Sequence, residues 1–289
     1  MVNENRELLG YVKLQDLIVA GRNRRVHEIM EKEVISVRAT DDQEDAARKI
    51  QKYDLIALPV IDENKAIVGI ITHDDALDII TQENTEDLEK IMAISGAHES
   101  FSYMKTGPME HFRNRVYWIS GLAVLGIISG FVIQRFEGIL LQFAVLATFL
   151  PMLAAAGGNT GSQSATLVIR ALALREISAG DAGLILWREF RVSLLLGILL
   201  GLFAYGRVVL LGVGSSIPPG YSLHAVGFAI SLALALQVVS STVTGALLPL
   251  GALRLRLDPA VVASPALASV VDVTGVLIYF TTVKLMLGL

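Results

Sequence analysis

Apolar residues recur at two alternating spacings in the first third of the chain and in long, nearly unbroken runs over the remainder. VHEIM, from Val26, opens with apolar residues at helical spacing, and EVISV alternates as a strand does. An amphipathic helix over 41–53 follows. Ala46, Ala47 and Ile50 make its apolar side and Asp42, Gln43, Arg48 and Lys49 its wet one. The order then predicts a strand at LIALPVI, a turn at Asp62-Glu63-Asn64, a strand at AIVGIIT and a helix from Asp74. GYVKLQD at 10–16 echoes GIITHDD at 69–75, with the Gly, an apolar pair and the terminal Asp aligned. The chain is therefore expected to open near the end of one repeat, 1–20, and to hold a second, 21–82, whole.

Beyond Arg115 the apolar runs exceed the roughly 20 residues that a membrane helix needs. Five spans are expected, at about 116–134, 139–169, 192–214, 223–253 and 260–286, within a membrane domain 112–289. Composition agrees: 53% of the 289 residues are hydrophobic and 18% charged, with a mean hydropathy of +0.57. That is too apolar for a soluble domain of this length. Most of the charge lies before Arg115, so a soluble domain precedes the membrane part. Arg113, Arg115, Arg170, Arg175, Arg188, Arg191, Arg254 and Arg256 fall on one side of the spans. Little beyond Arg135, Lys284 and Arg207 falls on the other. Positive charge stays inside, which puts the soluble domain in the cytoplasm and the C-terminus outside the cell membrane. The start, MVNENRELLG, is polar and no signal peptide. The absence of cysteine excludes disulfides and thiolate metal sites. A net charge of -4 without a basic aromatic patch gives no support for nucleic acid. No nucleophile–base constellation or phosphate loop points to an enzyme.

The second span is chemically odd. Residues 139–169 hold no Asp, Glu, Lys, Arg or His, yet their middle carries Pro151, Gly157, Gly158, Asn159, Thr160, Gly161, Ser162, Gln163 and Ser164. Close helix packing explains the small residues but not Asn159 one turn from Gln163. A backbone broken at the glycines, lining a pore, is the expectation, because irregular backbone in hydrocarbon must face protein or water. Asp272 lies mid-way along the fifth span, where a carboxylate costs about 2.5–3.5 kcal/mol on insertion. No Lys or Arg occupies the central part of any span to pair with it. A protonated, hydrogen-bonded Asp is the plain alternative; a cation site is the preferred reading. Before the membrane, Asp74, Asp75, Asp78, Glu83, Glu86, Asp87 and Glu89 crowd together, with Asp42, Glu44 and Asp54 elsewhere in the domain. Such a run is usually a solvated face, but oxygen-rich clusters also bind hard divalent cations. An acidic connecting segment, 83–111, is expected to be partly helical and to end at Gly107-Pro108.

LPV at 58–60 followed by GIITHDD resembles the cystathionine-β-synthase-type (CBS) domain. The resemblance implies a paired α+β module that can hold ATP, with Thr72 near the phosphates and Asp75 near the ribose. GGNTGSQSATLVIRALALREI together with DPAVVASPALASVVDVTGVLIYF looks like the MgtE family of Mg²⁺ channels. That likeness implies a homodimer with one pore, lined by the second and fifth spans of each subunit, where paired Asp272 carboxylates hold hydrated Mg²⁺. It assigns Gly157, Gly158, Asn159 and Gly161 to the break in the second span, and Ala154, Ala155 and Ala156 to its lining. Ser162 and Ser264 fall at lining positions where some members carry Asn. Asp42, Glu44, Asp54, Asp75, Asp78, Glu83, Glu86 and Asp87 match acids that bind regulatory Mg²⁺ and favour a closed state. The family usually has an acidic helical domain before a complete CBS pair. This chain has neither in full, so a weakened closed state is expected. The combined expectation is an α-helical membrane protein of five spans per subunit with a cytoplasmic α+β CBS domain, conducting Mg²⁺. The rivals are a proton- or sodium-coupled transporter with Asp272 as carrier and a membrane-anchored sensor without transport.

Overall fold

The computed structural model describes residues 1–21, 23–92, 94, 104–210, 217–262 and 265–289. It divides into two compact units, one ending at Glu86 and one beginning at Asp87. In the first, a short helix α1 (Leu14–Val19) precedes strand β1 (Val37–Arg38), helix α2 (Gln43–Lys52), strands β2 (Ala57–Ile61) and β3 (Ile67–Thr72), and the start of helix α3 (His73–Ile91), whose residues from Asp87 on belong to the second. β1 pairs parallel with β2, and β2 antiparallel with β3. The parallel pair needs the α2 crossover; the antiparallel pair needs only a tight turn. In that turn the Asp62 carboxylate accepts from the N–H groups of Asn64 and Ala66 at 2.9 and 2.8 Å. The predicted face of α2 is the buried one: Ala46, Ala47 and Ile50 pack with Val37, Leu58 and Ala76. Asp42 caps the helix, accepting from the Glu44 N–H at 3.0 Å.

VHEIM departs from its spacing. Only a single 3₁₀ turn forms, Val26–Glu28, and of EVISV only Val37 enters a strand. The cause is tertiary. Tyr11 and Glu31 exchange backbone hydrogen bonds at 3.0 and 2.9 Å, which draws the end of VHEIM into a bridge with the N-terminal segment and overrides a weak local preference.

The second unit contains α4 (Pro108–Arg135), α5 (Glu137–Gln142), α6 (Leu150–Ala173), α7 (Ala182–Leu210), α8 (Leu223–Arg254), α9 (Pro259–Val262) and α10 (Pro265–Leu287). Among the described residues, five helical stretches, 108–135, 144–173, 179–210, 223–254 and 266–287, are long and apolar enough to cross a membrane. α4 and α7 start several residues before the expected spans and carry Arg113, Arg115, Arg188 and Arg191 within them. Their backbone bonds continue past the hydrocarbon edge, where hydropathy no longer reports a helix. α8 is the centre of the bundle. It packs on α6, α7 and α10 and has buried residues from Val226 to Ala252. α4 packs on α10 and has no buried residue.

The expected break at Gly157–Gly161 is not there. α6 runs as one helix through both glycines, Asn159 and Ser162. The interruption comes earlier, where α5 ends and a 3₁₀ turn, Ala144–Phe149, leads into α6. Pro151 explains this: it lacks an N–H and its ring would clash with a preceding turn, so it fits only the first turn of a new helix. The turn is held by the core. The buried Tyr279 hydroxyl donates to the Leu146 carbonyl at 3.1 Å, satisfying a group that the regular ladder would otherwise pair.

Candidate cation site

α6 has two faces of different chemistry. Gly157, Gly161, Ser164 and Ala165 are buried on one. A Cβ on Gly157 would stand 1.8 Å from Gln237 Nε2, and one on Gly245 of α8 would stand 2.2 Å from the Gly161 carbonyl oxygen. Gly161 and Gly245 let α6 and α8 touch backbone to backbone, while Gly157 makes room for the Gln237 side chain, so packing accounts for both glycines of α6. The other face presents Ala155, Asn159 and Gln163 exposed in the single chain, with Gly158 and Ser162 partly so. A Cβ on Gly158 would meet nothing within 4 Å. Ala156 leans against the main core of the bundle. Thr160 is buried and its hydroxyl donates to the Ala156 carbonyl at 2.9 Å.

Asp272 opens on a cavity of about 180 Å³, shared with Ser129 of α4, Ala154 of α6, Gln237 of α8 and Gly275 of α10. Leu153, Val271 and Val276 supply apolar parts of its wall. Asp272 is half-buried, and no cation pairs with it among the described residues. The structure therefore brings Asp272 and Ala154 together. It sets Ala155, Gly158, Asn159 and Ser162 along the outer face of α6, and turns Gly157 and Gly161 inward. Ser264 lies outside the described residues. Sequence reasoning missed Gln237. Its signal was available, as the single amide in the apolar run from Leu223 to Arg254, but no motif points to it.

Several of the acids expected to be regulatory have local partners. The Asp75 carboxylate accepts from the Thr72 hydroxyl at 2.6 Å and the Thr72 N–H at 2.8 Å, forming a capping box at the start of α3. Those two bonds, the hydroxyl's first, hold Asp75 below its usual value. Thr72 and Asp75, the expected nucleotide pair, are thus bonded to each other. Glu83 accepts from Gln43 Nε2 at 2.7 Å, and Glu44 pairs with Arg48. Asp54 sits exposed at a positive φ of 49°, a conformation Asp tolerates better than most residues. Asp78 is exposed on α3, while Glu86 and Asp87 both have partners. Among the described residues, no three Asp, Glu or His side chains converge as a cation would need. At the end of α3, Lys90 reaches Asp258, just before α9, with Nζ–Oδ2 at 2.8 Å. Ile91 packs against the cluster of Ala165, Ile169, Ala260, Leu267 and Val271.

Residues 150–282 match the MgtE family model, described as a divalent cation transporter, and residues 26–82 match the CBS domain. The chain is 39% identical to the magnesium transporter MgtE of Thermus thermophilus, over 99% of this chain and 61% of that protein. It is 36% identical to the magnesium transporter MgtE of Bacillus subtilis, over 97% of this chain and 59% of that one. The chain thus spans about three fifths of the length of these curated relatives. Among solved structures, the cytosolic domain of the Mg²⁺ channel MgtE in complex with ATP is 49% identical, over 27% of this chain and 32% of that chain, with a TM-score of 0.27.

Proposed function

Because this chain belongs to the MgtE family of divalent cation transporters, we propose that it carries Mg²⁺ through the cell membrane by a pore between two copies of itself. The carrying observation is Asp272: an acid within an apolar helix, opening on a polar cavity, with no cation beside it among the described residues. The outer stripe of α6 supports the dimer. Asn159 and Gln163 facing lipid would each leave an amide without partners, and a second copy with water between resolves that. Gly158 and Ala155 keep the stripe low enough for a passage.

Mg²⁺ gives up its inner water reluctantly. Two Asp272 carboxylates holding the ion through its waters provide charge for selection while letting it leave, as conduction requires. α6 and α10 line the passage, with Ala154, Ala155, Ala156, Asn159, Ser162 and Ser264 at its walls. The arginines at the ends of the spans set the first unit in the cytoplasm and the C-terminus outside. Regulation falls to Asp42, Glu44, Asp54, Asp75, Asp78, Glu83, Glu86 and Asp87. Since one chain gathers no three of them among its described residues, a gating Mg²⁺ takes ligands from both subunits and favours a compact, closed arrangement. Such an ion shifts the equilibrium only through its preference for that arrangement. ATP binding at Thr72 and Asp75 would require the capping box to open.

Uptake of Mg²⁺ into proteoliposomes under an imposed potential tests this reading. Flux that follows voltage at equal pH and equal Na⁺ on both sides is expected. Flux that vanishes without a proton or sodium gradient would instead make the protein a coupled transporter.

A further inference from the structure

Arg207, in the last turn of α7, is a charge that the transport reading leaves without a task. Its Nη1 donates to the Thr148 carbonyl at 3.0 Å, and its guanidinium stands 4.4 Å from the centre of the Phe149 ring. Both partners belong to the end of the six-residue 3₁₀ turn Ala144–Phe149. Turns of this kind seldom run beyond about four residues, since their hydrogen bonds are poorly aligned. A longer one needs partners from outside. Among the described residues, two side chains of other helices reach its carbonyls. The Tyr279 hydroxyl of α10 donates to Leu146 at 3.1 Å, and Arg207 holds the end at Thr148.

The turn ends where the cavity beside Asp272 begins. Leu150, Leu153 and Ala154, in the first turns of α6, form part of that cavity. Gly275 and Val276 of α10, one turn before Tyr279, form another part. Whatever fixes the turn therefore fixes where α6 starts relative to α10, and with it the shape of the cavity. A guanidinium suits this joint, because its flat face can lie over a ring while its edge donates a hydrogen bond. We infer that Arg207 is a positioning residue for cation recognition: it pins the Thr148–Phe149 end of the turn to α7 and so holds the first turn of α6 in place at the Asp272 cavity. The inference rests on the Mg²⁺-transport reading and deepens it. Asp272 provides the charge that binds the ion. Arg207 touches no ion and acts through the wall around it.

The test measures Mg²⁺ uptake into proteoliposomes, and melting in detergent, for the full chain and its Arg207→Gln and Phe149→Leu variants. The shorter amide of Arg207→Gln cannot both donate to Thr148 and cover the ring. Its half-saturating Mg²⁺ concentration should rise about fivefold, the scale of one net hydrogen bond, while the maximal rate changes little. Phe149→Leu removes the ring and leaves the Thr148 bond, so half-saturation should rise there too. In the double variant the two rises should combine to less than their product, because both act on one joint. An Arg207 that merely stabilises the fold predicts a lower melting temperature with wild-type half-saturation. One that acts by charge alone predicts a fall in half-saturation in Arg207→Gln, since a charge that repels cations is gone, and no change in Phe149→Leu. Either pattern overturns the inference and leaves the transport reading standing. If Arg207→Gln yields too little folded protein, Phe149→Leu decides by itself, and wild-type half-saturation in it overturns the inference. Absence of Mg²⁺ uptake by the wild-type chain overturns both.

Discussion

The acids of the first unit and the acid of the membrane helices are treated in opposite ways. Asp42 caps α2, Asp75 is gripped by Thr72, Glu83 accepts a hydrogen bond from Gln43, and Glu44 pairs with Arg48. Each has a local task that costs little in water and is worth little if lost. Asp272 sits where a charge is expensive and has no pairing cation among the described residues. Where water is plentiful, these four acids are satisfied by neighbouring side chains and backbone. Within the bundle this chain leaves Asp272 open toward a cavity without a pairing cation among the described residues, and on the proposed function a hydrated ion is its partner.

The sharpest way to break this comparison is to fill the close contact that holds the helices around the cavity. Gly245→Val should cost more than about 3 kcal/mol, because the new Cβ meets the Gly161 backbone oxygen, which cannot move aside. Thermal unfolding in detergent checks it, and little folded protein is expected. Gly158→Leu separates folding from conduction. A Cβ there meets nothing within 4 Å in the single chain, so the protein should fold, yet Mg²⁺ uptake should fall to background if the outer face of α6 lines a dimer pore. Normal uptake would place that face against lipid.

The acids of α3 should affect gating only. In the combined Asp78→Asn, Glu86→Gln and Asp87→Asn protein, permeation should persist. Half-inhibition by internal Mg²⁺ should move at least about tenfold higher, a loss near 1.4 kcal/mol of preference for the closed state. Open probability against internal Mg²⁺ measures it, and superimposed curves for the two proteins would move the sensor elsewhere. The smallest effect concerns Asp75. Its value is lowered in the folded protein by the Thr72 hydroxyl and then the Thr72 N–H. The stability it adds is therefore fully present above the ordinary carboxylate value of about 3.9 and disappears as pH falls through the lower folded value. Asp75→Asn should lower the melting temperature by a few degrees at neutral pH and by nothing measurable in strong acid.

Much of this was legible from the order of residues. Five spans, the amphipathic α2 and the solitary Asp272 all follow from periodicity and charge, because burial acts on each of them locally. The path of α6 did not. Gly157-Gly158 reads as a breaker in water, but in a membrane an unpaired backbone is costlier than a flexible residue in a helix, so the ladder continues. The real interruption belongs to Pro151, whose missing N–H no environment can replace. Gln237 escaped notice for a different reason: its amide packs against Gly157 and Gly275, which lie far from it in sequence and on other helices.

Asp272 carries the central claim, and Asp272→Asn tests it most directly, since size and hydrogen bonding are kept and only charge is removed. Mg²⁺ uptake into proteoliposomes under a fixed potential should drop to that of empty vesicles, with the purified protein as well folded as the wild type. Uptake at the wild-type rate and half-saturation would contradict the assignment of the cation site to this residue.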